Sequence, residues 1–325
     1  MRTRLTELLE VQHPVMLAGM GGVSYHRLVA AVSGAGGFGC LGASTMGADE
    51  MVEEIRGVRA LTDKPFGVDL LTAAPGDMIA RVEQLIAGGA SVFVAGLGVP
   101  RDAIELCHRK GVLVVNMCGK VRHAVAAVEA GCDIVVAQGT EAGGHTGQVA
   151  TMPLVPQIVD AVGDRVPVVA AGGIFDGRGL AAALALGADG VWVGTRFIAT
   201  PEARAVGGYK DTLVRIGEDG TVISRAYTGK TCRVVGNDYT RYFEEHPDEL
   251  QPFPMQVGRA AGDGVFHLGG DEGTEGIDPA REFFPAGQGA GAIAELVPAA
   301  ELVARFVAEA EETLDRLAGV RAAAP

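Results

Sequence analysis

Paired cysteines, basic charge and long apolar runs are all scarce in this 325-residue chain, and each scarcity removes a class of function. Five cysteines stand at 40, 107, 118, 132 and 232, with no C-x-x-C and no metal-ligand spacing. A disulfide-stapled or zinc-built fold is therefore not expected, and free thiols, buried or partly buried in a reducing cytoplasm, are. Lysine and arginine number 27 against 40 acidic residues, for a net charge of −13. That balance argues against nonspecific binding to nucleic acid or to anionic membranes. It does not exclude an anionic ligand, because a few local N–H groups outweigh a distant net charge. No apolar run reaches about 18 residues without glycine or charge, so no membrane span is expected. The start, Met1-Arg2-Thr3-Arg4-Leu5, leads into a polar segment rather than a signal-peptide core, and a cytoplasmic location is expected. There is no H-E-x-x-H and no metal-spaced His/Cys/Asp set, so no metal is expected. Without a G-x-S-x-G, serine-hydrolase chemistry has no support.

What the chain does have is apolar residues at 48% and 48 glycines that punctuate apolar runs rather than clustering. Eight short runs read as strands, at 15–18, 38–42, 66–70, 91–95, 112–116, 133–137, 167–170 and 190–193. Helical patterns lie between them at about 26–35, 49–60, 76–88, 101–110, 120–130, 152–162 and 176–186. The strands are almost continuously apolar, as expected of a parallel sheet covered by helices. A phrase built on glycine recurs at the helix ends, at 35–37, 88–90, 130–133 and 186–189. It marks a left-handed helix cap followed by the next strand. Eight such units predict an α/β fold, a (β/α)8 TIM barrel. An open doubly wound sheet is the alternative, but Gly19-Met20-Gly21-Gly22-Val23 after the first strand is no G-x-G-x-x-G. From about residue 206 to 285 the chain is richer in charge and turns, and it reads as an inserted lid or substrate subdomain. The barrel is then residues 1–205 and 286–325, with a helical pattern over 297–318 closing it from outside.

Two glycine turns carry the functional argument. Ala171-Gly172-Gly173 follows the seventh run and Gly194-Thr195 follows the eighth. In a parallel barrel these positions are the usual phosphate grip, where N–H groups approach an anion that a side chain would keep away. After the sixth run comes Gln138-Gly139-Thr140-Glu141-Ala142-Gly143-Gly144-His145-Thr146-Gly147, on the face where barrel enzymes place reactive groups. His145 can take or give a proton there, or be a surface histidine on a flexible turn. Glu141 reads as a turn-capping carboxylate or a second acid-base group. Asp69 ends the third run as a ring-height carboxylate or a turn residue. Arg196 reads as a partner for a phosphate or for a barrel carboxylate. His26, His108, His246 and His267 have no partner cluster in the sequence.

These loops resemble the FMN-dependent nitronate monooxygenases, formerly called 2-nitropropane dioxygenases, and the related flavin-type enoyl-ACP reductases. The matching stretches are His13-Pro14-Val15-Met16-Leu17-Ala18-Gly19-Met20, Ala30 to Gly37, Asp63 to Val68, Glu141 to His145, Ala170 to Ile174, Gly194 to Phe197 and Ala286-Gly287-Gln288. The resemblance covers residues 5–200 well and the rest loosely. It implies FMN, with the phosphate on Gly172, Gly173, Gly194 and Thr195. The ring would lie near Ala18, Gly19, Met20, Asp69 and Gln138, with Gly139, Ala171 and Gln288 also at the cofactor and His145 as the acid-base residue. An apolar substrate pocket would be lined by Met20, Val23, Met46 and Leu71. Three positions depart from the relatives: Asp69 where Asn is frequent, Met117 where some have Lys, and Gln138 where others have an acid. The implied reaction is the oxidation of alkyl nitronates by O2 to a carbonyl compound and nitrite. The alternatives are an NAD(P)H-dependent reductase of enoyl thioesters or quinones, and a flavin-binding sensor without turnover. The implied partners are a small-molecule substrate, NAD(P)H in the reductase case, and a second copy of the chain as a homodimer.

Overall fold

The computed structural model describes residues 1–72, 77–96, 98 and 101–322. Its centre is a parallel barrel of eight strands: β1 (Val15–Leu17), β2 (Gly39–Gly42), β3 (Phe66–Leu71), β4 (Val92–Gly96), β5 (Leu113–Cys118), β6 (Ile134–Gln138), β7 (Val168–Ala171) and β8 (Gly190–Val193). Each pairs with its neighbours in chain order, and β8 pairs with β1. The ring closes between β1 and β2 through a parallel bridge at Met16 and Phe38. All eight strands stand within two residues of the sequence expectation. The intervening helices do so as well, except that the predicted start at 76 lies outside the described residues.

The apolar runs are continuous because both faces of each strand are buried. Period-two alternation splits one core into two shells. Met16, Cys40, Val92, Val94, Val115, Ile134, Val136, Val169, Ala171 and Trp192 fill the barrel interior. Their neighbours, such as Leu17, Leu41, Val68, Phe93, Val114, Val135, Ala170 and Val191, face the surrounding helices. Gly36, Gly89, Gly131 and Gly187 all have φ between 84° and 105°, so the recurring glycine phrase does end each helix in the left-handed region.

The floor of the barrel was not read from the sequence. Arg4–Leu9 is a helix whose Leu5 and Leu9 plug the interior from below. A Cβ on Gly190 would lie 2.5 Å from Leu5 Cδ2, so β8 admits the plug by having no side chain there. Thr3 caps this helix in a reciprocal box with Thr6, and its hydroxyl donates to the Asp189 carbonyl at 2.7 Å. Thr3→Ala is expected to lower unfolding free energy by about 1 kcal/mol, measured by urea titration.

Ala299–Ala322 forms the closing helix and lies against Gly177–Ala185 and His26–Gly34. Between β8 and that helix, the chain builds an antiparallel hairpin (Thr221–Ser224 with Cys232–Val235) and helices Tyr209–Arg215, Asp238–Glu245 and Met255–Gly262. This part has a core of its own around Tyr227, Val234, Tyr239, Phe243, Val265 and Phe283. Tyr227 is wedged between Tyr239 and Phe283, with ring centroids 5.0 and 4.8 Å away. All five cysteines are free and buried. Among the described residues, no helix is long and apolar enough to cross a membrane.

Candidate active site

The site is at the C-terminal mouth of the barrel, and strand parity determines which side chains reach it. In phase with the interior residues, the inward positions near the mouth are Met20 after β1, Asp69 and Leu71 on β3, Gly96 on β4, Met117 on β5, Gln138 on β6, Gly173 after β7 and Gly194 after β8. The β7–β8 side of the mouth thus presents glycine only, while Met20, Asp69, Leu71, Met117 and Gln138 supply side chains around the rest of the rim, with a gap at Gly96.

The small side offers backbone donors. Ala171 pairs with Trp192, so Gly173 and Gly194 each lie two residues past matched positions on adjacent strands. Gly172 and Gly173 have φ of 104° and 72°, which favour glycine. Among the described residues, the N–H groups of Gly172, Gly173, Gly194 and Thr195 donate no hydrogen bond. Four such donors at neighbouring strand ends suit an anion. The loop at 286–288 closes over it: Gly287 N donates to Thr195 Oγ1 at 2.9 Å, and Gln288 N donates to the Glu141 carbonyl at 2.9 Å, leaving the Gln288 side chain exposed.

Other residues of the expected set are occupied structurally. Gly139 N donates to the Ala171 carbonyl, and a Cβ on Gly139 would sit 2.0 Å from Thr151 Oγ1, so this glycine permits a close loop crossing. Ala171 is buried inside the barrel. Glu141 accepts from Thr151 N at 2.9 Å and from Thr151 Oγ1 at 2.9 Å, which is the capping arrangement. Among the described residues, Arg196 forms no ion pair with a carboxylate. It is buried and donates long bonds to the Ala199 and Glu295 carbonyls, at 3.4 and 3.3 Å, outside the mouth. Val23 and Met46 are buried in the outer core, while Met20 and Leu71 stay partly open. Three histidines read as partnerless each meet one carboxylate: His26 with Glu54, His108 with Asp133 and His267 with Glu282, at 2.7, 3.0 and 2.8 Å. No group of three or more His, Cys, Asp or Glu is placed to hold a metal among the described residues.

Gly19 and Asp69 are a matched pair. A Cβ on Gly19 would lie 2.3 Å from Asp69 Cβ, so the glycine is what lets this carboxylate turn into the mouth. The Asp69 side chain sits deep among protein atoms, although part of its surface reaches the opening. It has no hydrogen bond or ion pair among the described residues, and burial raises its pKa from 3.8 to about 8. Folding therefore favours the protonated form. The resulting stability is complete below 3.8, is lost as pH rises and is gone above about 8. Urea midpoints of the flavin-free protein are expected to fall across that window, and Asp69→Asn is expected to flatten the fall.

His145 is held from three sides. Its backbone pairs with Cys232 of the hairpin, and its carbonyl accepts from Gln138 Nε2 at 3.0 Å. Its Nε2 is 3.1 Å from Thr228 Oγ1, and the Phe253 ring meets its ring edge-on at 6.2 Å between centroids. Burial, with a smaller contribution from the Lys230 charge, lowers its pKa below 6.5, so the imidazole is neutral at neutral pH. Lys230 Nζ sits 4.6 Å from the Phe253 centroid and has no carboxylate partner among the described residues. Thr228, Lys230 and Phe253 were not singled out in the sequence. The signal for them is weak, since a Thr-Gly-Lys turn in a polar insertion points to nothing until the hairpin brings it to His145.

Comparison with known proteins places this geometry. The nitronate monooxygenase family model matches residues 2–309. The chain is 43% identical over 245 residues to a (3aS,4S,5R,7aS)-5-hydroxy-7a-methyl-1-oxo-octahydro-1H-indene-4-carboxyl-CoA dehydrogenase of Mycobacterium tuberculosis, covering 75% of this chain and 69% of that one. A Staphylococcus saprophyticus protein named probable nitronate monooxygenase is 34% identical over 302 residues, covering 78% and 84%. Among solved structures, FabK from Thermotoga maritima superposes with a TM-score of 0.89 at 36% identity, covering 98% of this chain and 99% of that one. A nitroalkane oxidase from Streptomyces ansochromogenes gives 0.82 at 32%, covering 96% and 99%. With its closed parallel barrel, its glycine turns after β7 and β8 and its histidine loop after β6, the chain belongs to the nitronate monooxygenase family and is an oxidoreductase.

Proposed function

We propose that this chain is an FMN-dependent nitronate monooxygenase, oxidising alkyl nitronates with O2 to a carbonyl compound and nitrite. The observation that carries the reading is a neutral, anchored His145 at the same barrel mouth as four undonated N–H groups. The residues suit FMN on two counts: the glycine turns supply donors without side chains, and Ala18 and Gly19, on the strand beside β8, add little side-chain bulk next to those turns. Gly172, Gly173, Gly194 and Thr195 would hold the phosphate. Asp69, Met20 and Gln138 would border the ring, and residues 206–285 would serve as the lid. When bound, FMN supplies the electron chemistry that the side chains lack.

The protein's own part is positioning and proton transfer. A neutral imidazole accepts the α-proton of a nitroalkane, which a charged one cannot do. The low pKa of His145 keeps this base available through the neutral range. Lys230 favours an anion beside it, so the same turn that depresses the imidazole also attracts the nitronate oxygens. The lid core around Tyr227 gives the Thr228–Lys230 turn a rigid base from which to exclude water.

A second reading is supported by the 43% identity to a dehydrogenase whose name specifies a CoA-linked substrate. In it, NAD(P)H is a partner and an acyl thioester the substrate. Nitrite release from ethylnitronate in air, with no bleaching on anaerobic mixing with NADH or NADPH, is the result expected here. Rapid bleaching without nitrite would replace the first reading by the second.

A further inference from the structure

The proposed proton transfer leaves open which nitrogen of His145 acts, and the hydrogen bonds around Thr228 decide it. We infer that Thr228 is a positioning residue that fixes His145 as the Nε2–H tautomer and leaves Nδ1 as the nitrogen that takes the substrate proton. The inference rests on the reading of His145 as the base.

Thr228 is buried at 3% exposure, and its hydroxyl oxygen has three neighbours. These are Lys230 O at 3.2 Å, Lys230 N at 3.3 Å and His145 Nε2 at 3.1 Å. A hydroxyl has one proton and two lone pairs. The Lys230 carbonyl can only accept, so the hydroxyl proton goes there. The Lys230 N–H can only donate, so it takes one lone pair. The remaining lone pair faces Nε2, which must then carry the hydrogen. A neutral imidazole has one N–H, so Nδ1 is bare, and among the described residues it makes no hydrogen bond.

The turn that does this is itself fixed. Gly229 has φ of 78°, and a Cβ there would lie 2.6 Å from Gln251 O and from Phe253 N. Only glycine lets the Thr228–Lys230 turn sit flush on the 251–253 segment, whose Phe253 also packs on the His145 ring. The ring cannot flip to exchange its nitrogens without giving up the Thr228 bond. In the proton transfer the α-C–H bond breaks and its electron pair moves into the nitro group. The proton joins Nδ1, and Nε2–H stays on Thr228.

The test is spectroscopic. In protein labelled with 15N-histidine and purified with its flavin, the His145 signals are those lost in His145→Gln. A pyridine-type Nδ1 and a pyrrole-type Nε2 are expected in the neutral state, retained in Thr228→Ser and mixed in Thr228→Val. In the same variants, kcat/KM for neutral nitroethane is expected to fall about tenfold in Thr228→Val and to recover in Thr228→Ser, while preformed nitronate is hardly affected. A pyrrole-type Nδ1 in the wild-type protein, or a Thr228→Val variant that keeps one pure tautomer, overturns the inference. Absence of nitrite from every substrate would instead defeat the functional reading, and the spectra would still decide the tautomer.

Discussion

His145→Asn is expected to lower kcat/KM for neutral nitroethane by about 10²–10⁴, the range that a positioned general base contributes. Preformed ethylnitronate should lose far less, because its proton has already gone and only a hydrogen bond to the anion is missing. The wild-type acid limb should also lie below 6.5, since burial and Lys230 both disfavour the imidazolium. Lys230 is coupled to both effects: it makes the base weaker as a proton acceptor yet draws the product anion toward the mouth. Nitrite assays with the two substrates, across pH, separate these roles. Equal losses on nitroethane and nitronate would mean that His145 binds the anion and does not move the proton.

The barrel was legible because its rules are local. Strands buried on both faces give unbroken apolar runs, and a glycine in the left-handed region follows most of the barrel helices, as at Gly36, Gly89, Gly131 and Gly187, so eight βα units could be counted along the chain. Residues 172–173 and 194–195 could be singled out as an expected anion site because N–H donors at strand ends approach an anion most closely where glycine stands, as at 172, 173 and 194. The insertion was not legible in the same way. Its hairpin residues Val222 and Ile223 are exposed, its helices are short, and its core is assembled from Tyr227, Phe243 and Phe283, which lie far apart in the sequence. Arg196 shows a second limit. A cation beside a glycine turn suggested a charged partner, yet it bonds to two backbone carbonyls, Ala199 three residues on and Glu295 far along the chain. Asp69 lies between these cases: its position near a strand end was readable, but that its carboxyl has no partner among the described residues depends on Gly19 and on what the other seven strands leave open. Thr228 reaches His145 only through pairing between Cys232–Val235 and Gly144–His145, a contact more than 80 residues long that no local pattern announces.

Gly194→Val tests the cofactor site more cleanly than any change at Gly172. Gly172 has φ of 104°, and a Cβ there would lie 2.8 Å from Thr151 Oγ1 and 3.1 Å from Ala142 N. A side chain at 172 would therefore strain the backbone by about 1–3 kcal/mol and damage the fold together with the site. At Gly194 the backbone has φ of −106°, outside the left-handed region. A Cβ would meet Met20 Sδ at 3.3 Å and Ala18 Cβ at 3.5 Å, and a flexible thioether can give way. The new methyl groups would then crowd the mouth beside an N–H that has no acceptor among the described residues. Flavin-free Gly194→Val is expected to unfold within about 1 kcal/mol of wild type, a surface-like change rather than a core defect. Its FMN dissociation constant, read by flavin fluorescence, should rise about 100-fold, equivalent to about 2.7 kcal/mol. A folded variant that binds FMN with wild-type affinity would move the phosphate away from the β7–β8 turns and with it the placement of the ring beside His145.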